Sequence, residues 1–199
     1  MPTVTSATEI CNMALTRLGH NNEISSFPAV AGDGKAGRLC NLHYVPTRDA
    51  VLRAHPWNFA IKRVDLAQDD YTASDNDEYT YRHSLPDDCL KVIRTDLDAA
   101  NFVDVDYRIE GRKIASNEES VFIEYIARIE DVSLYDALFV DVLAQRLAAE
   151  MAIAFTDTQT AAKGMWEVYD LKLREARGVD AQEGIPRDIQ ANTWLYSRA

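Results

Sequence analysis

Cysteine is scarce in this sequence: Cys11, Cys40 and Cys89 are its complete set. Odd in number and far apart, they supply neither a disulfide framework nor a zinc ligand set, and they read as buried free thiols of a reducing compartment. Basic charge is also short, with 21 Lys and Arg against 32 Asp and Glu, a formal net charge of −11. A surface of that sign repels phosphate, which excludes tight binding of nucleic acid or anionic membrane over most of it. There is no phosphate-binding loop. The one Gly-rich run, Gly32-Asp33-Gly34-Lys35-Ala36-Gly37, lacks the length, the Lys-Ser/Thr ending and the preceding strand such a loop needs, and reads as a flexible helix entry. A Gly-x-Ser-x-Gly elbow is missing as well. Nor is there a long uncharged apolar run. The most apolar stretch, 134–155, contains Asp136, Asp141, Arg146 and Glu150, so it reads as a buried helix and not a membrane span. The opening residues carry no basic segment followed by an apolar one, so no secretory signal is expected.

What is present suffices for one well-packed domain, or one domain with a sizeable insertion: 199 residues, 47% of them hydrophobic. Ser6-Ala7-Thr8-Glu9 fits a capping box, and Ile10, Met13, Ala14 and Leu18 follow at helical spacing before Gly19, which predicts a helix over 7–18. A second helical region is expected over 34–55, with Asp33 as its cap. Pro46 should kink or split it and Pro56 should end it. Between 58 and 130 the pattern changes to short alternating runs: 58–64, 79–82, 90–93, 103–110 and 121–126, the last read as a central strand. Gly111 marks a tight turn. Helices return with Ser133 as a cap and run to about Phe155. Another runs from Thr158 to about Arg177, closed by Gly178.

The expected fold class is therefore α+β. N- and C-terminal helices (1–57 and 131–178) form one bundle, interrupted by an inserted antiparallel β meander (58–130) and followed by an extended C-terminal arm (179–199). The bundle halves should pack together, because the long helix of 133–155 is apolar around most of its circumference. In the arm, Ile185, Ile189, Trp194, Leu195 and Tyr196 are too apolar for an idle end. Two readings stay open: the arm folds back on its own bundle, or it lays its aromatics on a neighbouring subunit.

Candidate chemistry is thin. His20 follows a helix-closing Gly. His43 lies three residues after Cys40, two ligands without a second pair. His83 and Cys89 flank the Pro86-Asp87-Asp88 turn, but no third orienting group or oxyanion donor accompanies them. No catalytic, cofactor-binding or metal-binding residue is assigned, and no cofactor is expected.

One segment is more specific. Arg48-Asp49-Ala50-Val51-Leu52-Arg53-Ala54-His55-Pro56-Trp57-Asn58-Phe59-Ala60 joins a helix end to a strand start, with Pro56 stopping the helix, Trp57 anchoring the corner and Phe59 opening the strand. The string resembles the tail tubular protein A family, the head-to-tail adaptors of short-tailed and related bacteriophages. Residues 9–19 are similar to that family's opening helix, and 81–90 to its central Leu-Pro-x-Asp-Cys turn. Residues 180–184, with Trp194, Leu195 and Arg198, are similar to its closing arm. The resemblance implies a structural virion protein rather than an enzyme: a ring of about twelve subunits between the portal protein and the tail nozzle or tail tube, assembled in the host cytoplasm. Genomic DNA would pass through it transiently, and no membrane would be a partner. The interface expected on this reading is Ile185, Ile189, Trp194, Leu195, Tyr196 and Arg198. The competing readings are an envelope-degrading hydrolase of the phage particle, built on His83, Asp87, Asp88 and Cys89, and a small acidic chaperone or partner-binding module.

Overall fold

The computed structural model describes residues 6–21, 23–73, 77–96 and 105–183. Helix α1 (Ala7–Arg17) begins as the capping box requires: Glu9 N–H donates to Ser6 Oγ and Ser6 N–H to a Glu9 carboxylate oxygen, each at 3.2 Å. It ends at Leu18, followed by Gly19 at φ 72°. Helix α2 (Gly34–Ala54) is one helix through Pro46, not two. Proline removes the donor that would meet the Leu42 carbonyl, but Leu42 and Pro46 are both exposed, so water can take that acceptor. Asp33 occupies the cap position without capping. Its carboxylate accepts instead from Ser25 N–H and Val30 N–H, both at 3.0 Å, and so closes the preceding loop.

Among the described residues six strands follow: β1 (Ile61–Ala67), β2 (Tyr81–Ser84), β3 (Cys89–Asp96), β4 (Tyr107–Glu110), β5 (Lys113–Ser116) and β6 (Ser120–Ala127). The first starts three residues later than the sequence suggests, because Asn58–Ala60 form a 3₁₀ turn around the Trp57 corner. All pairings are antiparallel, but the strands do not form a meander. They make two three-stranded sheets, ordered β1-β6-β3 and β2-β5-β4. Only β4 and β5 are neighbours in both sequence and space, turned by Gly111 at φ 63°. The short links 85–88 and 117–119 carry the chain from one sheet to the other instead of closing hairpins. Strand β6 is central to its sheet, as its unbroken apolar run predicts, and Val121–Ala127 are buried throughout.

Helix α3 (Ala137–Thr156) is capped by Asp136, whose carboxylate accepts from Leu138 N–H at 2.8 Å. The expected cap, Ser133, lies in a 3₁₀ turn of its own, tied to Asp131. Helix α4 (Gln159–Gln182) continues through Gly178 and past the expected end at Arg177. Gly178 has no left-handed φ to stop it, and Asp180 beyond it is anchored by tertiary contacts. The first four residues assigned to the arm, 179–182, are therefore helix; 184–199 lie outside the described residues.

Helix α3 is the core of the bundle and packs on α1, α2 and α4. Phe139, Leu143, Leu147 and Met151 are fully buried on it. Its few polar groups are spoken for. Asp141 pairs with Arg17 of α1 and Lys172 of α4, and Gln145 Nε2 donates to the Met165 carbonyl at 3.1 Å. Arg146 bonds Glu150 at 3.0 Å and lies over the Trp166 ring at 4.3 Å. The α+β class and the bundle built from both ends of the chain are thus observed. Among the described residues no helix is long and apolar enough to cross a membrane.

Candidate functional site

The segment 48–60 forms the joint between bundle and sheet. Trp57 is fully buried. Its Nε1–H donates to the Val51 carbonyl at 2.9 Å, and its ring meets Phe139 of α3 edge-on at 5.2 Å. Asp49 bridges Arg48 and Arg128, each at 2.9 Å, which ties α2 to the end of β6. On the other side the corner grips the end of α4. The Asp180 carboxylate meets His55 Nε2 at 2.9 Å and accepts from Asn58 N–H at 3.1 Å, while Asn58 Nδ2 donates to the Asp180 carbonyl at 2.7 Å. Arg177 adds a bond to the Ala54 carbonyl at 2.6 Å. The corner thus welds segments that are distant along the chain: the ties to Arg128 and Phe139 span about eighty residues, and those to α4 more than a hundred.

The Leu85-Pro86-Asp87-Asp88-Cys89 turn is a second joint, where the chain passes from one sheet to the other. Asp88 accepts from Lys62 Nζ at 2.7 Å and from the Tyr125 hydroxyl at 3.1 Å. Partial burial opposes ionisation of Asp88, but those two bonds outweigh it and hold its carboxyl below the usual range. Burial, with the Asp88 carboxylate beside it, pushes the Tyr125 phenol up to about 12. A shallow open cleft beside this turn is lined by Lys62, Asp88, Arg128, Glu130 and Leu134.

The sequence candidates for chemistry are dispersed. His83 is fully buried in the β2-β5-β4 sheet; its Nε2 lies 2.9 Å from the Glu118 carbonyl and 3.2 Å from Ser116 Oγ. A carbonyl oxygen can only accept, so Nε2 carries a proton, and Nδ1 is buried without a hydrogen-bond partner. Cys89 is buried at the start of β3, in the other sheet. Cys40, on α2, is buried beside Cys11 of α1, and that neighbouring thiol together with burial raises the Cys11 thiol far above its ordinary range. The His20 ring lies tilted against Phe155, with centroids 4.8 Å apart. Among the described residues no three His, Cys, Asp or Glu side chains are grouped to hold a metal ion. Ile185, Ile189, Trp194, Leu195, Tyr196 and Arg198 lie outside the described residues.

Sequence reasoning missed the outer faces of the two flanking helices. Helix α2 exposes Leu42 (64%) and Val45 (43%), and α4 exposes Val168 (40%), Leu171 (63%) and Val179 (44%). Both helices also bury a full apolar stripe against α3, and attention to that stripe hid the second one. The signal was readable: Val168, Leu171 and Val179 fall to one side of the helix, with Glu175 between them, away from the buried Ala162, Tyr169, Leu173 and Ala176. No family model matches the chain, and no curated protein matches it.

Proposed function

We propose that this protein is a structural subunit of a phage head-to-tail connector, a ring between portal and nozzle or tail tube through which DNA passes. The observation that carries the reading is the pair of apolar stripes facing outward on α2 and α4. A bundle that already has a filled core gains nothing by itself from a second set of apolar side chains on two outer faces; subunit contacts give them a use. The resemblance at 48–60 supplies the identity of the assembly, and the net charge of −11 suits a wall that lets phosphates slide past. The hydrolase reading draws no comparable support, since His83 is sealed inside a sheet and Cys89 begins the other one.

Electron microscopy of the chain with its cognate portal ring tests the proposal. The expected image is a second ring of subunits stacked coaxially on the portal. A chain that stays monomeric both alone and with portal sinks it, as does cell-wall or polysaccharide degradation that His83→Ala or Cys89→Ala abolishes.

A further inference from the structure

Most cations of the described chain sit against a carboxylate: Arg17 and Lys172 on Asp141, Arg63 and Arg94 on Glu124, Lys113 on Asp69, Arg146 on Glu150. With a net charge of −11 there are acids to spare. Four cations without such a match nevertheless gather at one place, where the end of α2 meets the turn 85–90. Arg53, in the last turn of α2, donates from Nη1 to the Leu90 carbonyl at 3.0 Å. Arg177 of α4 donates to the carbonyl of Ala54, the next residue along α2. Arg112, in the turn between β4 and β5, donates from Nη2 to the Pro86 carbonyl at 2.5 Å, and its own carbonyl accepts from Leu85 N–H at 2.9 Å. Lys91 follows Leu90 on β3 and is exposed. Among the described residues none of the four has a carboxylate partner.

These cations surround one stretch of chain. Cys89 lies between the two carbonyls that Arg112 and Arg53 hold. Burial, with Asp88 beside it, pushes the Cys89 thiol up, and Arg112 and Arg53 both reach it and pull the other way. The acids of the turn do not neutralise the set. Asp88 is held by Lys62 and the Tyr125 hydroxyl, which leaves Asp87. Acceptors are short enough here that Arg177 Nε is buried without one. The negative end of the α2 dipole gives Arg53 and Arg177 a reason to stand at this spot. It gives none to Arg112 and Lys91, which belong to the two sheets.

Three of the four are guanidinium groups fixed at one edge to a backbone carbonyl, and Arg53 and Arg112 are exposed. A guanidinium held in this way still offers N–H groups to both oxygens of a carboxylate, and it loses less freedom in doing so. Lys91 adds a point charge beside them. A DNA duplex fits less well. It carries one charge per about 1.7 Å and must approach a body that repels it, and a firm grip takes roughly six to ten phosphate contacts. This surface has fewer cations than that, and Arg177 is half-buried. A few carboxylates on one short peptide segment meet the same groups without that repulsion.

We infer that Arg53, Lys91 and Arg112, backed by Arg177, form a docking surface for an acidic segment of another protein, rich in Glu or Asp. The inference is independent of the connector reading, since it names what the end of α2 binds in whichever assembly the chain enters.

Fluorescence anisotropy of a labelled oligoglutamate peptide, titrated with the full chain, tests it. The peptide should bind at low salt and weaken as salt is added. Lys91 makes no side-chain hydrogen bond among the described residues, so Lys91→Glu should leave the thermal melt unchanged and weaken binding roughly fivefold. Adding Arg112→Glu should bring the loss to roughly twentyfold. Arg174→Glu, an exposed site on α4 with the same change of net charge, should cost less than about twofold. Failure of the unaltered chain to bind the peptide overturns the inference. Equal losses from Lys91→Glu and Arg174→Glu also overturn it, because the peptide would then be sensing net charge alone. So does a short DNA duplex that binds more tightly than the peptide, or self-association of the chain that Lys91→Glu abolishes while the peptide stays unbound. None of these outcomes touches the connector reading, which stands or falls on the ring at the portal.

Discussion

Replacing Gly178 with alanine should make the protein more stable, and the sign of that change decides between two structures for the end of α4. In the structure Gly178 is inside the helix, exposed, with no left-handed φ and no atom within 4 Å of where a Cβ would stand. An added methyl group meets nothing, and alanine gives up less backbone freedom on folding than glycine, worth about 0.5–1 kcal/mol. Had Gly178 closed the helix in a left-handed conformation, as its place after Arg177 suggested, alanine there would cost about 1–2 kcal/mol. The two outcomes are therefore separated by roughly 2 kcal/mol and differ in direction. Urea unfolding followed by far-ultraviolet circular dichroism, at concentrations low enough to avoid assembly, resolves them. The expected result is a higher midpoint at unchanged slope, with Tm up by about 1–4 °C for a chain of this size. A lower midpoint would refute the continuous helix and return residues 179–182 to the arm.

The same substitution at Gly37 should have the opposite effect: a Cβ there would stand 2.6 Å from Asp33 Cβ and 2.9 Å from Ala29 Cβ, and Asp33 is pinned by Ser25 and Val30. Overpacking of about 1–3 kcal/mol exceeds the helical gain, so Gly37→Ala should reduce the unfolding free energy by a net of about 1–2 kcal/mol and lower the urea midpoint accordingly. Asp180→Ala removes the contacts to His55 and to the Asn58 N–H; because the Asn58 side is exposed, water takes over part of the role, and a loss of about 1–2 kcal/mol is expected, with faster amide exchange at the end of α4 as the second readout. At alkaline pH, Tyr125 and Tyr135 both stand raised to about 12, each chiefly by burial. The native state then keeps phenol protons that the unfolded chain has released, so the contribution is intact below pH 10 and disappears between 10 and about 12. Tyr125→Phe should flatten about 2 kcal/mol of that fall in pH-dependent unfolding; an unchanged profile would show that Tyr125 does not hold its proton against Asp88.

Local signals were reliable where the deciding groups were neighbours in sequence. The Ser6-Glu9 capping box formed as read, because both of its bonds close within three residues. The Trp57 corner followed from Pro56 and the aromatic beside it, and β6 followed from a run too apolar for anything but a central strand. The failures share one cause. Asp33 and Ser133 are competent caps, yet the first was drawn to Ser25 and Val30 and the second to Asp131, while Asp136 took the helix. The links 85–88 and 117–119 have hairpin lengths, but each runs between sheets, since the partners of β3 and β6 come from elsewhere in the chain.

By itself, then, the sequence determined the class of fold, the place of the β insertion, the burial of the long helix and the corner at Trp57. These depend on periodicity, capping and proline, all of which act over a few residues. Tertiary structure alone decided which strands share a sheet, that α4 outlasts Gly178, that Asp180 clasps the corner and that α2 and α4 both run antiparallel to α3. Each of those is a contact between segments distant along the chain, and a one-dimensional pattern carries no record of which competing partner wins.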